Sequence, residues 1–235
     1  MSEHIMRAYD DDLAMLKTML AQMGGLAEDQ LAKAIDAIGR RDTHLADRVI
    51  AGDDKVDALE RQIEEKAILT IAKRQPMARD LREIMVAIRV SSDLERIGDL
   101  AKNTAKRTHA ISEAVPRKLI TGLTRMGNIA QVQLKDILDA YAQTDAEKAI
   151  AVWRADEELD ALYNSIFREL LTYMMEDPRM IGLCTHLLFG AKNMERIGDH
   201  ATNIAENIYY LVHGKPILEE RPKKDSTSMT AVEPR

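Results

Sequence analysis

The pentapeptide Glu-Arg-Ile-Gly-Asp stands twice in this chain, at Glu95–Asp99 and again at Glu195–Asp199. The likeness continues beyond it: Ala101, Asn103 and Ala105 answer Ala201, Asn203 and Ala205. A long internal repeat constrains the fold more than any other feature, because both copies must adopt one supersecondary unit. The two halves align almost throughout. Met23-Gly24 answers Met126-Gly127, Gln30-Leu31 answers Gln133-Leu134, Asp42 answers Asp145, and Val49 answers Val152. Asp53, Asp57, Ala58 and Leu59 answer Asp156, Asp160, Ala161 and Leu162 at the same spacing. Pro76 and Pro178 stand one residue closer, and the doubled pentapeptides three closer, so the connection after the proline is shorter in the second copy. The copies meet near Val115-Pro116, where proline pushes the residue before it out of helical geometry.

Each copy reads as three long helices. In the first, Leu13, Leu16, Leu20, Met23, Ala27, Leu31, Ala34 and Ile38 recur three and four apart and make one apolar stripe. Gly39 near the C-cap and Asp42 as N-cap supply a stop and a start. The second helix runs from there to before Pro76; Gly52 interrupts it, but its counterpart is Ala155, so one continuous helix is expected. The third begins near Pro76, suited to a first helical turn, and extends to about residue 111. The second copy repeats this over residues 117–142, 145–176 and 179–212. Only 4% of residues are aromatic, which favours helices over strands. Short connections force neighbouring helices antiparallel. The expected fold is all-α: two tandem, sequence-related up-down-up three-helix bundles over residues 1–114 and 115–213. Residues 214–235, rich in Pro, Lys, Glu and Ser, are expected to be a disordered tail.

The acidic rows carry the chemistry. Glu95 and Asp99 lie one turn apart on one helix face, with Asn103 extending the row; Glu195, Asp199 and Asn203 repeat it. Asp53 and Asp57 form such a pair on the preceding helix, and Asp156 and Asp160 repeat that. Leu94, Ile97, Ala101 and Thr104 are the inward positions of the third helix, so the carboxylates are expected outside the packed core, on an outer face or in a groove between helices. No Glu-x-x-His occurs, unlike the di-iron bundles whose ligands point inward. Four carboxylates in one groove repel one another, and bridging hard or borderline metal ions would resolve that. One such pair alone is usually solvated charge; four pairs at matched positions weigh against that reading, although duplication alone would also repeat them.

Gly98 and Gly198 serve either close helix packing or room for a ligand beside the row. Arg96 and Arg196 read as exposed. His200 abuts Asp199 but answers Leu100, and reads as a surface or packing residue. Cys184, the single cysteine, rules out an intrachain disulfide and reads as buried and inert. The formal net charge of −6 argues against a nucleic-acid binder. No signal-peptide core or transmembrane stretch is evident, so a soluble cytoplasmic protein without direct membrane insertion is expected.

From about Ala8 to Val212 the chain resembles the PhoU family, the phosphate-specific transport system accessory proteins. The two Glu-Arg-Ile-Gly-Asp-x-Ala-x-Asn segments and the Asp-x-x-x-Asp pairs before them carry the resemblance. It implies multinuclear metal clusters, of iron or zinc, on the bundle surface. The first would use Asp53, Asp57, Glu95 and Asp99, and the second Asp156, Asp160, Glu195 and Asp199. It further implies a regulator of phosphate uptake and negative regulator of the phosphate-starvation response, linking a phosphate ABC transporter to a two-component sensor histidine kinase and forming homodimers. Catalysis is not expected, since no acid, base or nucleophile stands at a telling spacing. A metal-dependent phosphoester enzyme and a metal-free helical scaffold are the competing classes.

Overall fold

The structure, a computed structural model, describes residues 2–111, 116–219 and 221, with side chains from residue 9 onward. Among these residues there are seven α-helices and no strand: α1 (Ser2–Arg40), α2 (Thr43–Gly52), α3 (Asp54–Arg74), α4 (Arg79–Arg107), α5 (Arg117–Gln143), α6 (Ala146–Glu176) and α7 (Ile181–His213). The first bundle is α1, the collinear pair α2 and α3, and α4. The second is α5, α6 and α7. The expected all-α fold of two tandem three-helix bundles is the observed one.

The turns between the first two helices of each copy are alike. Arg41 and Thr144 take the left-handed conformation. The amides of Asp42 and Asp145 then reach back to the carbonyls of Ala37 and Ala140, both at 2.9 Å, as in a Schellman motif. Each aspartate at once caps the next helix: Asp42 accepts from the Leu45 amide, and Asp145 from those of Glu147 and Lys148. Gly39, expected near the C-cap, is thus one of the last helical residues.

The second helix of the first copy is not continuous. Gly52 closes α2 and α3 starts at Asp54, although Asp53 keeps helical dihedrals (φ −62°, ψ −38°) and the axis carries on. No side chain crowds Gly52, so its poor helix propensity is the local cause; with Ala155 in its place, α6 runs unbroken. Pro76 lies ahead of α4, which begins only at Arg79 after positive φ at Gln75 and Ala78. α4 ends at Arg107, with a 3₁₀ turn over Thr108–Ala110. In the second copy Pro178 instead opens a 3₁₀ turn, Pro178–Met180, capped by Asp177 and leading directly into α7.

Each bundle is filled from its three helices. Leu20, Met23, Leu31, Ile63, Ile84 and Leu94 are fully buried in the first, as are Met126, Leu134, Leu159, Met194, Ile197 and Ile204 in the second. The two cores merge along a seam where α1 meets α5 and α4 meets α7. The seam has an approximate twofold relation. A Cβ on Gly24 would stand 2.6 Å from Leu138 Cδ2, and one on Gly127 would stand 2.7 Å from Ile35 Cγ1. Gly24 and Gly127 are repeat counterparts, and so are Ile35 and Leu138. Each copy therefore inserts a branched side chain over the other's glycine. Polar contacts repeat the relation: Asp93 accepts from Asn203 at 3.3 Å, and Asn193 donates to Thr104 Oγ1 at 3.3 Å. Early α4 thus meets late α7, and the two helices run antiparallel.

Residues 112–115 and 222–235, with residue 220, lie outside the described residues, and so does part of the expected copy boundary and most of the expected tail. Of that tail, Gly214 to Glu219 and Arg221 are described. Gly214 ends α7 in the left-handed conformation, and Ile217 packs against the core.

Candidate metal centres

The structure brings the eight expected carboxylates into two groups, one per bundle. In the first, Asp53 and Asp57 come from the α2–α3 junction and α3, and Glu95 and Asp99 from α4. In the second, Asp156 and Asp160 come from α6, and Glu195 and Asp199 from α7. Their burial departs from the expectation of an outer location. Asp53, Asp156, Asp160 and Glu195 are at most 3% exposed; Asp57, Glu95, Asp99 and Asp199 are partly exposed. The reason is a third helix. Gln30 on α1 and Gln133 on α5, themselves buried, close each groove from the side opposite the solvent. A stripe drawn for one helix at a time does not show that a position beside the stripe is covered by a third.

The close approach explains the two glycines. A Cβ on Gly98 would stand 3.0 Å from Gln30 Oε1 and 3.6 Å from Asp53 Oδ1. A Cβ on Gly198 would stand 2.6 Å from Asp156 Oδ1 and 3.2 Å from Gln133 Oε1. Both alternatives raised by the sequence hold at once: the helices pack closely, and what they pack against is the carboxylate site.

The negative charge is met by side chains of the chain itself. In the first group the Lys102 ammonium bridges Asp53 and Asp99, donating to Asp53 Oδ2 and to Asp99 Oδ1 at 2.7 Å. Gln30 donates to Asp53 Oδ1 at 3.4 Å. Arg96, more than half exposed, pairs with Glu95 at 3.4 Å. In the second group the Arg221 guanidinium bridges Asp156 at 2.5 Å and Asp199 at 2.6 Å, and Lys192 pairs with Glu195 at 2.8 Å. Both amide atoms of Gln133, a residue 5% exposed, find no hydrogen-bond partner. Among the described residues no three Asp, Glu, His or Cys side chains converge in ion-holding geometry.

Electrostatics follow. Burial, and then the neighbouring Asp53 charge, push the Asp57 carboxyl above the usual carboxylate range. Burial raises Glu95 as well, against the pull of Arg96. Glu60 on α3 is raised by burial and by Glu64 and Asp57, and it adds to the negative field at Glu95. In the second group burial raises Asp156 in spite of Arg221. Burial acts to lower Lys102, but its hydrogen bonds to Asp53 and Asp99 outweigh that and hold the ammonium above its ordinary pKa.

The sequence reading did not pick out Lys102, Arg221, Lys192, Glu60 or the two glutamines as site residues. Only the glutamines carried a signal, the matched Gln-Leu pair in both copies. The other four lack a like residue at the counterpart position: Lys102 answers Thr202, Lys192 answers Ser92, Glu60 answers Tyr163, and Arg221 lies beyond the repeat. His200 turns away from the site: its Nδ1 is 2.9 Å from Asp93 on α4, across the seam. Cys184 is fully buried, and Trp153 Nε1 donates to Glu206.

Known proteins share this arrangement. The family model described as PhoU domain matches residues 20–108 and again 123–208, the two bundles. A relative from Rhizobium meliloti, named phosphate-specific transport system accessory protein PhoU homolog, is 58% identical over 226 residues, spanning 96% of this chain and 95% of its own. One of the same name from Caulobacter vibrioides is 53% identical, spanning 97% of this chain and all of its own. Among solved structures, PhoU from Pseudomonas aeruginosa superposes with a TM-score of 0.83 at 37% identity, covering 88% of this chain and 100% of that one. The phosphate transport system regulatory protein PhoU from Streptococcus pneumoniae gives the same TM-score at 28% identity, covering 89% and 99%. With both copies matched in sequence and nearly the whole of each neighbouring structure accounted for, this chain is a member of the PhoU family.

Proposed function

We propose that the protein regulates phosphate uptake as a cytoplasmic accessory to a phosphate ABC transporter, restrains the phosphate-starvation response through a two-component sensor histidine kinase, and acts as a homodimer. The observation that carries the regulatory reading is the likeness over nearly the full length to relatives named as phosphate transport system accessory proteins. The surface suits an adaptor: long helices carry charged outer faces, and no helix among the described residues is long and apolar enough to cross a membrane. Affinity capture of the tagged protein from phosphate-replete cells tests the reading. Recovery of the transporter's ATP-binding subunit and of a sensor kinase is expected; capture of neither, together with an unchanged starvation response in a deletion strain, would sink it.

The two carboxylate groups are, in this reading, metal centres. The donor set fits iron or zinc: carboxylate oxygens from two helices, with a glycine that lets them close in. Asp53, Asp57, Glu95 and Asp99 would hold the first, and Asp156, Asp160, Glu195 and Asp199 the second. The ion would supply the positive charge that bridges helices. The residues of this chain set the spacing, exclude water and hold the helices in register. Elemental analysis of the protein purified without added metal checks this, with loss of metal expected on Asp99→Ala and Asp199→Ala.

A further inference from the structure

The two groups differ in where their positive charge comes from. Lys102 sits on α4 itself, three residues beyond Asp99, so even when its side chain swings away its backbone stays anchored beside the first group. Its counterpart, Thr202, turns its hydroxyl to the Asp199 backbone carbonyl at 2.7 Å and supplies no charge. The bridge between Asp156 and Asp199 is instead made by Arg221, eight residues past the end of α7 and beyond residues 214–219, which carry no helix. That segment is lightly held. Glu219 pairs with Arg154 at 3.3 Å, but both side chains are mostly exposed, where an ion pair contributes little. Ile217 is only partly buried, and the buried Arg221 Nε has no partner. Gln133 is buried with neither amide atom satisfied, and its Oε1 stands against the same edge of Gly198 as Asp156, which Arg221 holds. In the first group the equivalent Gln30 donates through Nε2 to Asp53 at 3.4 Å, while its Oε1 is likewise without a partner.

We propose that Arg221 is a tethered stand-in for a divalent cation: such an ion displaces it from between Asp156 and Asp199, takes the Gln133 amide oxygen as a ligand from α5, and releases the segment that follows α7. The first group, closed by Lys102, exchanges far more slowly. The second bundle thereby converts metal occupancy into the position of a chain segment. The proposal rests on the reading of these groups as metal centres. It adds a ligand, a competitor and an order of exchange. An amide oxygen beside carboxylates is a donor set that hard and borderline divalent ions accept.

The test is a zinc titration of the full-length, chelator-stripped protein, read by calorimetry and by hydrogen–deuterium exchange of the peptide covering residues 214–221. Binding at the second group is expected to accelerate exchange in that peptide. Arg221→Ala should bind zinc roughly tenfold more tightly there, the factor for a segment closed about nine times in ten. Gln133→Leu should bind it about tenfold more weakly or worse, in the range seen when metal-site partners are removed, and Gln133→Glu should restore or exceed the original affinity. Leucine in place of an unsatisfied amide should leave the thermal midpoint unchanged or higher, which separates a ligand from a packing residue. Zinc bound at the second group with no change in exchange, or with affinity indifferent to Arg221→Ala, overturns this proposal alone. No zinc at either group overturns the metal centres with it.

Discussion

The two acidic groups use the same four carboxylate positions and the same buried glutamine, yet neutralise them differently. In the first bundle the counter-charge is built into α4 as Lys102, and a further acid, Glu60, deepens the negative field. In the second, Tyr163 replaces Glu60, with Lys192 Nζ 4.9 Å from the ring centre, and Arg221 arrives from outside the repeat. The repeat carries the same carboxylates in both copies, but the counter-charge lies within the repeat in the first and comes from the segment after α7 in the second. The carboxylate positions were kept while their counter-ions diverged, so the two groups differ in counter-charge rather than in their carboxylates.

The largest expected effect tests this directly. In metal-free protein, Lys102→Met leaves Asp53 buried beside Asp99 without its ammonium, and should cost about 3 kcal/mol in urea unfolding, the scale for a buried pair that loses one partner. Arg221→Met should cost only about 1 kcal/mol, because the released segment regains conformational freedom. Asp156, already raised above its ordinary pKa, can also take up a proton. Equal losses would erase the distinction between the sites.

The glycines give the next contrast. Gly198→Ala drives a Cβ to 2.5 Å from Leu159 Cδ2 and 2.6 Å from Asp156 Oδ1, and the overpacking should cost about 1–3 kcal/mol. Gly98→Ala meets its nearest atom only at 3.0 Å, and the roughly 1 kcal/mol that alanine gains in a helix should nearly offset the crowding. Thermal unfolding of both variants decides between an asymmetric pair and two equivalent sites.

A smaller difference should appear with pH. Asp57, Glu60 and Glu95 in the first group, and Asp156 in the second, have folded-state pKa values above their ordinary ones. Groups raised on folding contribute stability that is full below the unfolded pKa, about 4 for these acids, and is lost as pH rises through the folded value. Metal-stripped protein should therefore become less stable as pH climbs out of the ordinary carboxylate range. The loss should be greater in α3 and α4 than in α6 and α7 when followed by residue-resolved amide exchange. A bound divalent cation favours the charged carboxylates and should flatten or invert the trend. The smallest signal is optical. Trp153, the single tryptophan, lies three residues before Asp156 and is tied to Glu206 on α7. Its emission should shift slightly on zinc binding to the second group and stay unchanged in response to Lys102→Met.

Much of this was legible in the sequence. Apolar stripes three and four apart gave the helices, and Asp42 marked a true cap whose counterpart Asp145 caps as well, because these signals act over a single turn of chain. The four acidic pairs were visible for the same reason. The break at Gly52 was masked by its counterpart Ala155: the repeat argued for continuity where the local propensity argued against it. The burial of Asp53, Asp156, Asp160 and Glu195 depends on a third helix, which the periodicity of any one helix does not report. Lys102 and Arg221 were hidden because the repeat draws attention to what both copies share, and these two cations are what they do not.

Ile35 over Gly127 and Leu138 over Gly24 form the kind of self-matching contact that two separate chains use when they pair about a twofold axis. Here the partners are joined in one polypeptide, so their local concentration is fixed by the tether and not by the cell. Two unlinked single-repeat chains would separate on dilution, whereas these halves stay married at any concentration. A pairing that no longer depends on abundance frees each half from having to match its twin elsewhere, which is the latitude that unequal counter-ions require.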